Sequence, residues 1–77
     1  FGGGMQVVEF LVNGETALHQ NIPLRRLPIL PEVLMVALVR GQEVVVPTGE
    51  DSFHAGDRVV LATLKSDLKD LNDIFEP

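Results

Sequence analysis

Residues 34–47 read LMVALVRGQEVVVP, and this stretch decides the fold class. Its first seven residues form a nearly continuous apolar run of strand length, which is typical of a central strand with both faces covered. Gly41-Gln42 separates this run from residues 43–46, and two strands joined by two residues with glycine first predict a hairpin with a type II′ turn. Pro47 ends the second strand, because proline is tolerated only at strand edges and ends.

Two further strands are predicted on either side of this hairpin. Residues 5–12 (MQVVEFLV) are rich in β-branched and aromatic side chains, and apolar residues occur on both of their faces. Asn13-Gly14 ends that strand with a pair suited to positive φ. Residues 58–63 (RVVLAT) follow a tight turn at Gly56-Asp57 and have the composition of another buried strand.

Two helices complete the predicted set of elements. Asn21 is predicted to cap a short helix whose first turn contains Pro23. Ser66 is predicted to cap a C-terminal helix that runs to about residue 75, with an apolar stripe for docking on the sheet that consists of Leu68, Leu71 and Phe75. The fold class is therefore α+β: a small mixed β-sheet of about four strands, one short helix after the first strand and a C-terminal helix packed on the sheet. Residues 1–4 are predicted to be a linker and residues 5–77 a single domain.

Composition excludes several classes of function. The chain has 77 residues with a formal net charge of -5, so a basic face for nucleic acid is not expected. Cysteine is absent, which excludes disulfides, thiolate metal sites and cysteine nucleophiles. Apolar residues make up 45% of a chain too short to bury them easily, and this excess favours self-association.

No residue pattern predicts catalysis, a metal site or a cofactor. His54 lies close in sequence to Glu50, Asp51 and Asp57, but the spacing matches no metal motif and favours a solvated loop. Asp57 is interpreted as a turn former that accepts backbone hydrogen bonds. His19 has no partner nearby in sequence and is predicted to be exposed. The chain is therefore predicted not to be an enzyme.

Taken in order, several segments resemble the C-terminal domain of regulators of potassium conductance, the TrkA-C domain. Residues 21–27 (NIPLRRL) are similar to the family's helix motif of glycine, lysine and two leucines, with Asn21 in the place of the glycine. The family's strand that ends in Arg and a turn is matched by residues 36–41 (VALVRG). Its most recognisable signature, valine-proline followed by alanine-glycine-aspartate and an apolar strand, is matched by residues 46–49 and 55–60.

The resemblance implies a cytoplasmic regulatory domain that associates with a transmembrane cation transporter, antiporter or channel. It further implies a homodimer, and some members of the family bind a small ligand such as a nucleotide at the dimer interface. The positions that would line this dimer cleft form one short segment: Asn21, Arg25, Arg26, Ile29, Leu30 and Val33. Glu32 lies in the same segment, and a carboxylate facing two phosphates would repel them, so the sequence disfavours cyclic di-AMP as that ligand.

Two alternatives remain open at this point. The first is a purely structural oligomerisation module without a ligand, held together by the apolar side chains of the segment at residues 28–35. The second is cation sensing by the acidic loop at residues 50–57. The dimer is favoured over a monomer because of the small size and apolar excess of the chain together with the family resemblance.

Overall fold

The fold is built on a four-stranded antiparallel sheet, and the computed structural model describes residues 4–77 of the chain. The strands are β1 (Gln6–Leu11), β2 (Val33–Arg40), β3 (Glu43–Val45) and β4 (Arg58–Thr63). The remaining elements are three short 3-10 helices, which we label η1 (Gly14–His19), η2 (Leu24–Arg26) and η3 (Leu71–Ile74). None of the helices in the described part of the chain has the length and hydrophobicity that a membrane span requires.

The strand order is β1-β4-β2-β3, which places β4 and β2 at the centre of the sheet. β4 pairs with β1 on one side and with β2 on the other, and all of these pairings are antiparallel. The sequence had suggested a mixed sheet, and this prediction is wrong, because every strand pair in the sheet is antiparallel. A bulge between Met35 and Ala37 lets the residues before and after it stay in register with β4.

The hairpin between β2 and β3 forms as predicted. Gly41 has φ 62°, while Gln42 does not have positive φ, and this combination fits a type II′ turn. β3 ends at Val45, so Val46 lies outside the strand. Because β3 pairs only with residues 38–40 of β2, the first half of β2 has no strand beside it on that side within the described part of the chain.

The core lies on one face of the sheet. Leu38, Val59 and Leu61 project from the two central strands and are fully buried, and the loop residue Phe53 packs with them. Leu71, Ile74 and Phe75 from the C-terminal segment close this core. The prediction that both faces of β2 are covered is wrong, because Leu34 on its other face is 62% exposed.

The predicted C-terminal helix from Ser66 to Phe75 does not form. Only the one-turn helix η3 is present, and its N-cap is Asp70 rather than Ser66. Phe75 is extended and forms a β-bridge with Ile29, and the backbone N–H of Glu76 donates to the carbonyl of Pro28 at 2.7 Å. These pairings pull the segment out of helical geometry.

The segment between β1 and β2 also differs in detail from the prediction. It forms two 3-10 helices, η1 and η2, rather than one α-helix. Asn21 has φ 61° and does not cap η2, whose N-cap is Pro23 with no side-chain hydrogen bond. Asn13-Gly14 ends β1 without positive φ, since neither residue adopts it. His19, predicted to be exposed, is half-buried, and its ring stacks on Phe75 at 3.8 Å between centroids.

Candidate functional site

An open cleft of about 300 Å³ lies between η2, the start of β2 and the turn after β3. Leu24, Leu34, Met35 and Pro47 supply its apolar surface, and Arg25 supplies its one charged side chain. Thr48 and Gly49 complete the lining. An apolar surface with one positive charge at its edge suits a ligand that combines a flat ring with an anionic group.

The cleft is held together by backbone hydrogen bonds between its two walls. The N–H of Leu24 donates to the carbonyl of Asp51 at 2.8 Å, and the N–H of Arg25 donates to the carbonyl of Gly49 at 3.0 Å. A Cβ atom added at Gly49 would lie 3.2 Å from the Cβ of Arg25, closer than ordinary van der Waals contact. The glycine of the valine-proline-x-glycine stretch therefore lets η2 approach this turn closely, and a Cβ here would push Arg25 back slightly.

Arg25 carries the electrostatic character of the cleft. Its Nε donates to Oε1 of Glu50 at 2.8 Å, and the two side chains are 54% and 74% exposed. An ion pair this exposed contributes little to stability because water screens it. The guanidinium is therefore available to an anionic ligand that displaces Glu50.

The six residues predicted to bind a ligand fall into different environments. Arg25 lines the cleft, while Asn21 and Arg26 are exposed outside its lining. Ile29, Leu30 and Val33 are half-buried and do not line the cleft either. Leu30 donates its N–H to the carbonyl of Ile74 at 2.8 Å, so this part of the segment is engaged with the C-terminus.

The sequence reasoning missed most of the cleft. The sequence predicts a ligand at positions between 21 and 33, which leaves out Pro47, and it places Leu34 and Met35 in the apolar segment at residues 28–35 as a dimer contact rather than as part of a ligand cleft. The one signal that pointed here was the valine-proline-x-glycine stretch, which was used to recognise the family rather than to place a ligand. Nothing in the sequence indicated that η2 would lie against that stretch.

The acidic loop at residues 50–57 has its polar groups engaged in structural hydrogen bonds. Asp51 accepts from the N–H of Thr48 at 2.7 Å. Ser52 Oγ lies 3.2 Å from Nε2 of His54. Asp57 accepts from the N–H of His54 at 2.9 Å, which confirms its interpretation as a turn former. No group of residues able to hold a metal ion occurs in the described residues 4–77.

Asp57 is also the partner of Arg40 at the end of β2. The guanidinium makes two hydrogen bonds to the carboxylate, from Nε to Oδ1 at 2.9 Å and from Nη2 to Oδ2 at 2.7 Å. Burial raises the pKa of Asp57, but the hydrogen bonds from Arg40 and from the N–H of His54 outweigh it, so the pKa lies below its ordinary value. The same pairing raises the pKa of Arg40. This pair joins the ends of β2 and β4 and is structural.

The described residues thus combine a small antiparallel sheet, an open cleft beside Arg25 and an acidic loop whose polar groups form hydrogen bonds within the fold. The chain belongs to the TrkA-C domain family, whose model matches residues 7–76. This confirms the resemblance seen in the sequence and agrees with the prediction of a non-catalytic regulatory domain.

Two relatives of this chain add detail. It is 27% identical over 67 residues to YjbQ of Bacillus subtilis (strain 168), a protein assigned as a Na(+)/H(+) antiporter. The alignment covers 87% of the chain but only 11% of that relative. Among solved structures, the chain is similar to an RCK domain described "with cda", at 28% identity and a TM-score of 0.61. That match covers 71% of this chain and 76% of the other.

Proposed function

We propose that this chain is the cytoplasmic, homodimeric regulatory domain of a cation antiporter and that it senses an anionic nucleotide in the Arg25 cleft. The proposal of a nucleotide ligand is supported by the combination of an apolar cleft with one exposed guanidinium, that of Arg25. The similarity to YjbQ supports the antiporter, which would be the transmembrane partner. In this proposal the nucleotide changes the geometry of the dimer, and the membrane part responds to that change.

The ligand we propose is cyclic di-AMP. We take the abbreviation cda in the similar RCK structure to mean this nucleotide. A cleft of about 300 Å³ is at the lower limit of ligand pockets, which span roughly 300–1,000 Å³, so one chain would hold one half of the dinucleotide. A second copy would hold the other half, since the ligand has two equivalent adenines and two equivalent phosphates.

The position of Glu32 in the structure does not disfavour the binding of cyclic di-AMP. From its position in the segment at residues 28–33, its carboxylate was expected to face the phosphates. In the structure Glu32 is exposed in the turn before β2 and is not among the residues that line the cleft. The carboxylate that competes with a phosphate is instead Glu50, which already contacts Arg25. Of the six predicted residues, Arg25 is the one that we assign to phosphate binding; the other five remain predictions.

Thermal melting of the chain with cyclic di-AMP tests this proposal. At about 100 times its dissociation constant the ligand stabilises by roughly 2.7 kcal/mol, which for a small domain is a shift of about ten degrees or more. We expect Arg25→Gln to abolish the shift and Glu50→Gln to increase it, because the competing carboxylate is gone. Lys69→Gln, which removes an exposed cation away from the cleft, should leave it unchanged.

Two results would contradict the ligand assignment. One is a flat melting curve for the wild-type chain at millimolar cyclic di-AMP. The other is a shift in Arg25→Gln equal to that of the wild type. Arg26→Gln tests the wider set predicted from the sequence, since only a ligand that extends beyond the cleft would depend on Arg26.

A ligand-free oligomerisation module is the second candidate. It is favoured by the hydrogen bond from Arg25 to Glu50, which satisfies the only charge in the cleft without a ligand. This candidate predicts a dimer whose melting temperature does not respond to nucleotides. The same titration therefore separates the two functions.

A further inference from the structure

A second recess, of about 200 Å³, lies at the edge of the sheet that β1 forms. Its walls are the end of β1, the helix η1 and the residues that lead into η3. Phe10 and Leu71 supply apolar surface, while Thr16, Lys69 and Asp70 supply polar groups. The recess shares no lining residue with the Arg25 cleft and is therefore a separate candidate site.

Hydrogen bonds within the walls hold the recess in shape. Thr16 is only 2% exposed, and it donates both its N–H and its hydroxyl to the carbonyl of Asn13, at 3.0 Å and 2.9 Å. On another wall the N–H groups of Lys69 and Asp70 donate to Oδ2 of Asp73, at 2.8 Å and 3.2 Å. The polar residues of the recess are thus positioned before any ligand binds, which lowers the entropic cost of binding.

Two side chains of the recess can accept hydrogen bonds from a ligand. Thr16 has already donated its only hydroxyl proton to Asn13, so its oxygen can act toward a ligand only as an acceptor. Asp70 is exposed, and its Oδ1 accepts from the N–H of Asn72 at 2.8 Å. A carboxylate has about four lone-pair sites, so Asp70 keeps the capacity to accept further bonds. These two acceptors suit a ligand with an ammonium group.

Lys69 supplies the opposite charge. None of the ion pairs in the described part of the chain involves Lys69, whereas the ammonium group of Lys65 lies 3.8 Å from Asp67. An ammonium group without an ionic partner suits a ligand with a carboxylate. The described lining therefore carries one charge of each sign, Lys69 and Asp70. A simple anion or a simple cation meets one charge of its own sign here, while a zwitterion is complementary to both.

We propose that this recess binds a free α-amino acid with a small apolar side chain, such as valine. The ligand carboxylate binds Lys69, and the ligand ammonium group binds Thr16 and Asp70. The ligand side chain packs against Phe10 and Leu71. At about 30 Å³ per water molecule the recess has the volume of roughly seven waters, which suits a small amino acid and is too little for a nucleotide.

Titration of the isotopically labelled chain with L-valine, followed by heteronuclear NMR, tests this site. We expect saturable shifts of the amide signals of Thr16, Lys69 and Leu71, while the signal of Gly49 in the Arg25 cleft stays unchanged. Isobutylamine, which lacks the carboxylate, and isovalerate, which lacks the ammonium group, are the matched ligand controls. Each should bind at least ten-fold more weakly than L-valine, because each leaves one charge of the recess unpaired.

Two variants test the charges on the protein. Lys69→Gln and Asp70→Asn each remove one charge, and Asn is as good an N-cap as Asp, so η3 should still form in Asp70→Asn. Both variants should bind L-valine at least ten-fold more weakly than the wild type. The matched control is Lys65→Gln, which removes the same charge from a nearby residue outside the lining and should bind like the wild type.

Three results would overturn this inference. The first is the absence of saturable shifts up to about 100 mM L-valine, well above a millimolar dissociation constant. The second is binding of isobutylamine or isovalerate as tight as that of L-valine, and the third is unchanged affinity in both Lys69→Gln and Asp70→Asn. Cyclic di-AMP added to the same samples tests the Arg25 cleft separately, because the two sites share no residue.

Discussion

At the scale of single residues, the Arg40–Asp57 pair does the most for this fold. Asp57 is 1% exposed, and a carboxylate this buried is tolerated only with charged or backbone donors around it. Arg40 supplies two donors and also binds the carbonyl of Ser52 at 3.0 Å. One guanidinium therefore ties together the end of β2, the acidic loop and the start of β4.

Replacing Arg40 by Ala should destabilise the chain by about 2–3 kcal/mol at pH 7, because it leaves a buried carboxylate with an incomplete set of donors. This figure is at the low end for a broken buried pair, since the Arg40 side chain is 40% exposed. The control is Arg25→Ala, which breaks the exposed pair with Glu50 and should cost less than about 1 kcal/mol. Urea unfolding measures both, and equal losses would contradict the structural role of Arg40.

The same variant should change how stability depends on pH. In the wild type the folded pKa of Asp57 is below its ordinary value of 3.8, so the folded state binds the proton less readily than the unfolded state. The stabilisation is complete above the unfolded pKa and is lost as the pH falls through the lower folded pKa. In Arg40→Ala the effect of burial on the pKa of Asp57 is less opposed. The loss of stability on acidification that Asp57 causes should therefore be smaller than in the wild type, or should become a gain.

At the scale of elements, the C-terminal segment shows how local pattern and tertiary pairing compete. Leu68, Leu71 and Phe75 have helical spacing, and Ser66 is a good cap by composition. However, Asp and Asn are weak helix formers, and they occupy much of the segment. The pairing of Phe75 with Ile29 and of Leu30 with Ile74 satisfies the backbone in an extended conformation instead. Only one turn remains, closed by a capping box between Asp70 and Asp73.

Capping variants distinguish the two arrangements. Asp70→Ala should destabilise the chain by about 1 kcal/mol, because Asp70 accepts from the N–H of Asn72 at 2.8 Å and anchors η3, which carries the buried Leu71 and Ile74. Ser66→Ala should have almost no effect, since Ser66 caps no helix in the structure. Thermal melting compares the two, and a larger loss in Ser66→Ala would favour the longer helix predicted from the sequence.

At the scale of the whole molecule, stability is concentrated in the centre of the sheet. β4 is hydrogen-bonded on both sides, while β3 is a three-residue edge strand whose Val44 is 69% exposed. The free energy needed for local unfolding is therefore expected to be lowest at β3 and highest at β4. The same one-sided burial leaves Val7, Leu34 and Val44 exposed on the face of the sheet opposite the core.

Amide hydrogen exchange followed by NMR should show this gradient. We expect the slowest exchange in β4 and in the part of β2 paired with it, and markedly faster exchange in β3. Protection of β3 equal to that of β4 would contradict this distribution.

The strands were predictable because their signals are local. Apolar runs of strand length, a glycine with positive φ at residue 41 and a Gly-Asp turn each act over a few residues, and β4 was predicted with its observed bounds. Asn21, which stands in the place of the family's glycine, has φ 61°, a left-handed conformation that Asn adopts more readily than most residues. The ordered set of motifs was enough to identify the family, which the match over residues 7–76 confirms.

The sequence by itself thus determined the strands, the hairpin and the family, whereas the tertiary structure decided the strand order, the fate of the C-terminus and the location of the cleft. Strand order depends on which edges meet after collapse, and residues 28–30 and 74–76 pair across more than forty positions of sequence. The cleft exists only because η2 lies against Gly49. Burial on one face rather than two is likewise a property of the assembled sheet. An apolar strand has the same composition whether or not its second face is covered.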